Sequence, residues 1–164
     1  MSRFLATFFY VGLLRPAPGT WGSAAAIPVA YVLHGLGGFV LLAAATLLVF
    51  VIGWWATIEA TRGKDDHDPS EIVIDEVAGQ WVALLPVSFG LGMAGVDPWT
   101  FPWPGWVTAF IFFRLFDIWK PGPVGWADQR NDALGVMLDD VIAGAMAGGV
   151  VLCAAAVAHM GLGL

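Results

Sequence analysis

The sequence predicts an all-α, polytopic membrane helix bundle: about four to five membrane segments preceded by a short N-terminal interfacial helix, in a single domain spanning residues 1–164. Three observations carry that reading. Hydrophobic residues make up 59% of the chain and charged residues 12%, about half the charge content of an ordinary soluble domain and too little to cover a water-facing surface. The charges are also segregated, for residues 16–58, 77–96, 98–113 and 141–164 contain no Asp, Glu, Lys or Arg. Apolar stretches approaching roughly 20 residues are what a helix needs to cross a bilayer. Finally, the basic and aromatic residues sort by side. With segments alternating in direction, Arg3, Arg15, Arg62, Lys64, Lys120 and Arg130 fall on one face, which the positive-inside rule makes cytoplasmic. The loop over 88–104 holds no Lys or Arg. Trp21, Trp54, Trp55, Trp119 and Trp126 then lie near the inner interface, and Trp99, Trp103 and Trp106 near the outer one.

Taken in order, the apolar run over 4–14 follows Arg3 and ends at Arg15-Pro16-Ala17-Pro18 with no small-residue cleavage pattern, so it reads as a retained interfacial helix rather than a signal peptide. Gly19-Thr20-Trp21-Gly22-Ser23 reads as entry into a helix, with Thr20 or Ser23 as its cap. The first span reaches about His34, Gly35, Gly37 and Gly38 make a turn, and a second span covers about 39–58. The stretch 61–70 is polar. A third helix is expected to start near Ser70 and to break at Pro86, with 88–104 as a loop. A fourth covers about 105–119, a polar loop runs to Leu134, and the last helix runs from about Gly135 to Ala158.

This topology collects acids at one level. Asp75 and Glu76 open the third helix, Asp117 and Lys120 end the fourth, and Asp139 and Asp140 lie in the first turns of the last. Several carboxylates withdrawn from water repel one another, and each costs roughly 2.5–3.5 kcal/mol even on a lenient insertion scale. A divalent cation turns that repulsion into coordination, and an all-oxygen donor set without Cys points to Mg²⁺ or a similar hard ion. Arg114, Lys120 and Arg130 suit phosphate oxygens or balance the acids, and backbone amides at Thr20–Ser23 suit an anion. Asp68 is the functional candidate in the acidic loop, where Asp65 and Asp66 read as solvated. Glu59 reads as interfacial, Asp97 and Asp132 as structural. Asp75, Gly79 and Ala83 share one helix face, as do Asp140, Gly144 and Gly148, and Gly144-x-x-x-Gly148 is a close-packing motif.

The acidic balance, a net charge of −6, argues against nucleic acid, and the lone Cys153 excludes an intramolecular disulfide. The sequence holds no P-loop, no Gly-x-Ser-x-Gly elbow, no His-Glu-x-x-His and no Cys-x-x-Cys, which leaves metal-assisted attack on phosphorus. Pro16-Ala17-Pro18-Gly19-Thr20-Trp21-Gly22-Ser23, His67-Asp68 with Ile72-Val73-Ile74-Asp75-Glu76, Phe113-Arg114-Leu115-Phe116-Asp117-Ile118-Trp119-Lys120-Pro121, and Gly135-Val136-Met137-Leu138-Asp139-Asp140-Val141-Ile142-Ala143-Gly144 together resemble the phosphatidylglycerophosphatase A family, in the family's order. One departure is Asp132-Ala133-Leu134, where the family often has a glycine pair.

The resemblance implies a Mg²⁺-dependent enzyme of the bacterial cytoplasmic (inner) membrane, its site facing the cytoplasm. It would hydrolyse phosphatidylglycerophosphate to phosphatidylglycerol, with a membrane glycerophospholipid as partner and substrate. The mechanism expected on that basis places Asp75, Glu76, Asp139 and Asp140 around one or two Mg²⁺ ions, with Arg114 and Lys120 offsetting phosphoryl charge and Asp117 as a further ligand or general base. Direct attack by water and an aspartyl-phosphate intermediate are both open. Thr20, Ser23 and Asp68 complete the expected substrate contacts, and a homo-oligomer is compatible with the sequence. The competing readings are a CDP-alcohol phosphotransferase, whose denser acidic motif is missing, a small cation or proton transporter, and a scaffold subunit.

Overall fold

The computed structural model describes residues 1–63 and 69–162, with side chains through His159. Among them the regular structure is entirely helical: α1 (Ser2–Ala6), a 3₁₀ turn (Val11–Leu13), α2 (Pro18–Thr61), α3 (Ile74–Met93), α4 (Trp103–Trp119), α5 (Pro123–Asp128) and α6 (Ala133–Leu162).

The N-terminal helix is shorter than the apolar run. Phe8, Phe9 and Tyr10 have φ of 44°, 57° and 69°, and three successive left-handed residues end α1; Thr7 Oγ1 accepts the Tyr10 N–H at 3.2 Å. The expected turn at 35–38 is a kink within α2. Gly38 has φ 61° and ψ −153°, a conformation open essentially to glycine alone. The two limbs of α2 double back on each other. Gly22 on the first packs on Val73, while Gly53 on the second packs on Ile74 and Met137, so both limbs reach the start of α3. At α3's other end His34 Nδ1 lies 2.7 Å from Ser88 Oγ, and the Phe39 and Phe89 rings meet at 5.4 Å.

The third helix departs from expectation at both ends. It starts at Ile74, not Ser70, because the Val73 N–H is taken by Ala6 O at 2.9 Å and the Ile72 N–H by Pro69 O at 2.8 Å. It also runs through Pro86 to Met93. Proline inside a helix is tolerated where packed neighbours absorb the lost bond, and here Gly148 of α6 leaves space for the Pro86 ring. The loop over 119–134 contains α5, and α6 begins at Ala133, where Asp132 Oδ1 accepts the Gly135 N–H at 2.6 Å as a helix cap.

α3 is the centre of the bundle, packed against α2, α4 and α6. A Cβ on Gly79 would sit 2.5 Å from Asp140 O, and one on Gly144 2.2 Å from Gly79 O, so α3 and α6 touch backbone to backbone along the stripe of small residues.

Two helices among the described residues are long and apolar enough to cross a membrane, α2 and residues 133–159 of α6, against the four to five segments expected. α4 has 17 residues and includes Arg114 and Asp117; α3 spends its first turns on Asp75, Glu76 and Gln80. In the most apolar stretch of α2 only 11% of residues are buried, and Leu36, Val40, Leu47 and Val51 stand exposed. A core helix would hide such side chains; an exposed apolar face of this length suits contact with lipid.

Candidate active site

The ends of four helices meet around a cavity of about 270 Å³, lined by Ala17–Thr20 of the α2 start, Asp75 and Glu76 of α3, Arg114 and Asp117 of α4 with Lys120 just after it, and Asp139 and Asp140 of α6. Two features of the chain bring them together. α3 and α6 start at this end of the bundle and α4 finishes there. The contact of Gly79 with Asp140 O then sets α6 directly against α3, one turn above Asp75.

Glu76, Asp117 and Asp140 form the tightest group: one carboxylate oxygen from each lies within 4.8 Å of the others. Glu76 and Asp140 are 8% and 3% exposed. Arg114 Nη1 donates to Glu76 Oε2 and to Ser23 Oγ at 3.3 Å, and forms an ion pair with Asp117 Oδ2 at 3.0 Å. One edge of the guanidinium is thus held by the acids, while its buried Nε has no hydrogen-bond partner among the described residues. Ser23 caps nothing. It lies one turn inside α2, its Oγ 2.8 Å from Gly19 O and 2.9 Å from Glu76 Oε2. Asp140 Oδ1 is buried with no hydrogen-bond partner among the described residues.

Asp75 and Asp139 share one hydrogen-bonding pattern. Each accepts the N–H of the acid that follows it, Glu76 or Asp140, at 2.9 Å. Asp139 Oδ2 also takes a bond from Lys120 Nζ at 2.8 Å. Lys120 follows α4 in the left-handed region, φ 49°, which turns its side chain across to α6 and to Asp128 of α5. Burial alone would lower the Lys120 pKa; the hydrogen bonds to Asp128 and Asp139 outweigh it and hold the ammonium above its ordinary value.

Among the residues that line the cavity, five carboxylates meet two cations, Arg114 and Lys120, so acids outnumber bases there. That excess together with a partnerless Asp140 oxygen fits a bound cation with oxygen ligands. The donor set nearest to closing on one ion is Glu76, Asp117 and Asp140, which differs from the expected ligands Asp75, Glu76, Asp139 and Asp140. Thr20 lines the cavity as expected, and Asp68 lies outside the described residues. Two contributors escaped the sequence reading. Asp128 sits in a helix too short for a periodic signal. Gly19 admits the Glu76 carboxylate, whose Oε1 would lie 2.0 Å from a Cβ there; its only trace in sequence is a small residue beside the helix start.

The model of the family described as phosphatidylglycerophosphatase A matches residues 4–155 of the chain. A phosphatidylglycerophosphatase A of Escherichia coli strain K12 is 34% identical over 150 residues, covering 90% of this chain and 80% of that protein. Its counterpart in Haemophilus influenzae strain Rd is 34% identical over 142 residues, covering 86% and 80%. No solved structure matches. A family match over nearly the whole length, with the matched stretch delivering every acid around one cavity, leads to one assignment: the chain belongs to the phosphatidylglycerophosphatase A family.

Proposed function

We propose that this protein hydrolyses the terminal phosphomonoester of phosphatidylglycerophosphate, giving phosphatidylglycerol and phosphate, with Mg²⁺ as the metal and a membrane-embedded glycerophospholipid as substrate. The observation that carries the metal is the buried triad of Glu76, Asp117 and Asp140 with the partnerless Asp140 Oδ1. These three residues would hold the ion, and Asp75 and Asp139 flank them. When bound, the ion supplies polarisation of the phosphoryl oxygens and a water of lowered pKa.

The rest of the chemistry belongs to the chain. Arg114 holds the Glu76 and Asp117 carboxylates in place through a hydrogen bond to Glu76 and an ion pair with Asp117. Lys120, kept charged by Asp128 and Asp139, stands at the cavity wall and offsets the negative charge of the phosphoryl group as it leaves its alcohol. The N–H groups of Gly19 and Thr20, in the first turn of α2, have no helical partner of their own and favour an anion at that end.

In this reading the limbs of α2 with α3, α4 and α6 make four to five membrane segments, the site facing the cytoplasm of a bacterial inner membrane. The basic residues gathered at the site's end of the bundle support that orientation. A cation transporter wants its acids near mid-membrane, whereas these stand in the first turn of α3, about two turns into α6 and in the last turn of α4, all toward one end of the bundle. The test is phosphate release from phosphatidylglycerophosphate by purified protein in detergent. Turnover should appear with Mg²⁺ and vanish with chelator; metal-independent turnover removes the metal, and no turnover removes the activity.

A further inference from the structure

We propose that Arg15, docked on Ser70 at the mouth of the acidic cavity, is a second anion subsite that binds the phosphodiester of the lipid while the terminal phosphomonoester enters the cavity. This rests on the phosphatase reading above and names the feature that selects a lipid with two phosphates.

The first argument is charge. Every other basic side chain among the described residues is paired: Arg3 with Glu71, Arg62 with Glu59, Arg114 with Glu76 and Asp117, Lys120 with Asp128 and Asp139, and Arg130 with Asp132. Arg15 has no ionic partner among the described residues. Its Nη1 donates to a neutral acceptor, Ser70 Oγ, at 3.4 Å. Both side chains are exposed, so the guanidinium keeps donors free for a ligand.

The second is place. Ser70 lines the same cavity as the acids, together with Ala17 and Pro18, which follow Arg15 by two and three residues. Arg15 is thus at the rim while Arg114 and Lys120 are inside. The third is substrate chemistry. A phosphatidyl lipid bearing a further phosphate carries two anions joined by the bridging alcohol, with the acyl chains beyond the diester. If the monoester meets the acids and their cation, the diester stays outward, where Arg15 is the basic side chain without an ionic partner among the described residues. The fork of a guanidinium matches two non-bridging phosphate oxygens. An exposed Arg near a membrane also attracts anionic surfaces in general, and the experiment separates these roles.

Full-length protein in detergent micelles is titrated, by tryptophan fluorescence, with phosphatidylglycerol, which keeps the diester and lacks the monoester. Arg15→Gln should weaken binding about tenfold and Arg15→Lys a few-fold, the size of effect expected for one charge-assisted contact at an exposed site. Binding of phosphatidic acid, whose single phosphate is a monoester, should not change. In turnover, Arg15→Gln should raise KM for phosphatidylglycerophosphate about tenfold with kcat within about twofold. Unchanged phosphatidylglycerol affinity overturns the subsite, and so does an equal loss for both lipids, which would make Arg15 a general surface contact. Arg15-dependent binding by a protein that releases no phosphate would sink the phosphatase reading and leave the subsite standing.

Discussion

Asp140 concentrates the electrostatic problem of the site. It is 3% exposed, flanked by four further carboxylates, and one of its oxygens has no hydrogen-bond partner among the described residues. On the proposed metal reading, removing its charge removes a ligand and leaves the other acids facing each other without a cation. Asp140→Asn, Asp117→Asn and Glu76→Gln should each lower Mg²⁺-dependent turnover by roughly 10² or more, as expected for loss of a catalytic metal's ligand. Phosphate release across a Mg²⁺ titration checks this, and near-normal rates in Asp117→Asn would remove that residue from the triad. Asp128→Asn is the contrast. Lys120 keeps its bond to Asp139, so the loss should stay within about tenfold. Asp75, Glu76, Asp139 and Asp140 are visible in sequence because an acid pair opening an apolar helix is an anomaly in itself. Asp117 is visible too, as the acid that ends the fourth segment, but its closeness to Glu76 and Asp140 shows only in the packing of α4, and the bond from Arg114 to Glu76 is a matter of side-chain geometry that spacing along the chain does not encode.

At the scale of elements, the pair α3 and α6 sets the site, and its spacing is set by glycine. The Gly144 Cβ position is 2.2 Å from Gly79 O, a backbone atom that no rotamer change can move aside. Gly144→Ala must push the helices apart, costing about 1–3 kcal/mol as overpacking does, and thermal melting in detergent should show a lower Tm together with reduced turnover. Gly149, one residue on, faces open space, and Gly149→Ala should leave both unchanged. The start of α6 depends on Asp132, whose carboxylate takes bonds from Arg130 and the Gly135 N–H; those bonds hold its pKa below the ordinary value. A lowered folded-state pKa gives stability that is present above the ordinary carboxylate value and is lost as pH falls through the folded one. Asp132→Ala should therefore cost about 1 kcal/mol near neutral pH, the usual worth of an N-cap, and the difference from wild type should shrink in acid. The sequence marks α6 and its glycine stripe clearly, since apolar length and small-residue spacing are one-dimensional signals. It misplaces the start of α3 and the effect of Pro86 because tertiary contacts, Val73 on Ala6 and Pro86 on Gly148, overrule local rules there.

The whole molecule is legible in outline because its segments alternate, and alternation alone carries every acidic helix end to one side. The number of segments is less legible, since α3 and α4 carry charged or buried polar residues, and among the described residues α2 and α6 are the helices with the length and hydropathy of a span. α2 is divided by its kink into two limbs. Its 44 residues would extend about 66 Å as a straight helix, roughly twice a bilayer's hydrocarbon core, yet both of its ends lie beside α3's first turn. Residues on the α5–α6 connection and on the α3–α4 connection must then lie at opposite ends of the bundle. In a Cys153→Ser background, which removes the exposed native thiol, Asn131→Cys and Asp97→Cys should react with a membrane-impermeant maleimide from opposite sides. Asn131→Cys should label in inverted vesicles and Asp97→Cys in intact spheroplasts. Labelling of both from one side would break the alternation that brings Asp75, Asp117 and Asp140 to a common depth. Labelling from opposite sides in the reverse sense would keep the cavity intact and turn it toward the outer face, where the basic residues would then stand against the positive-inside rule.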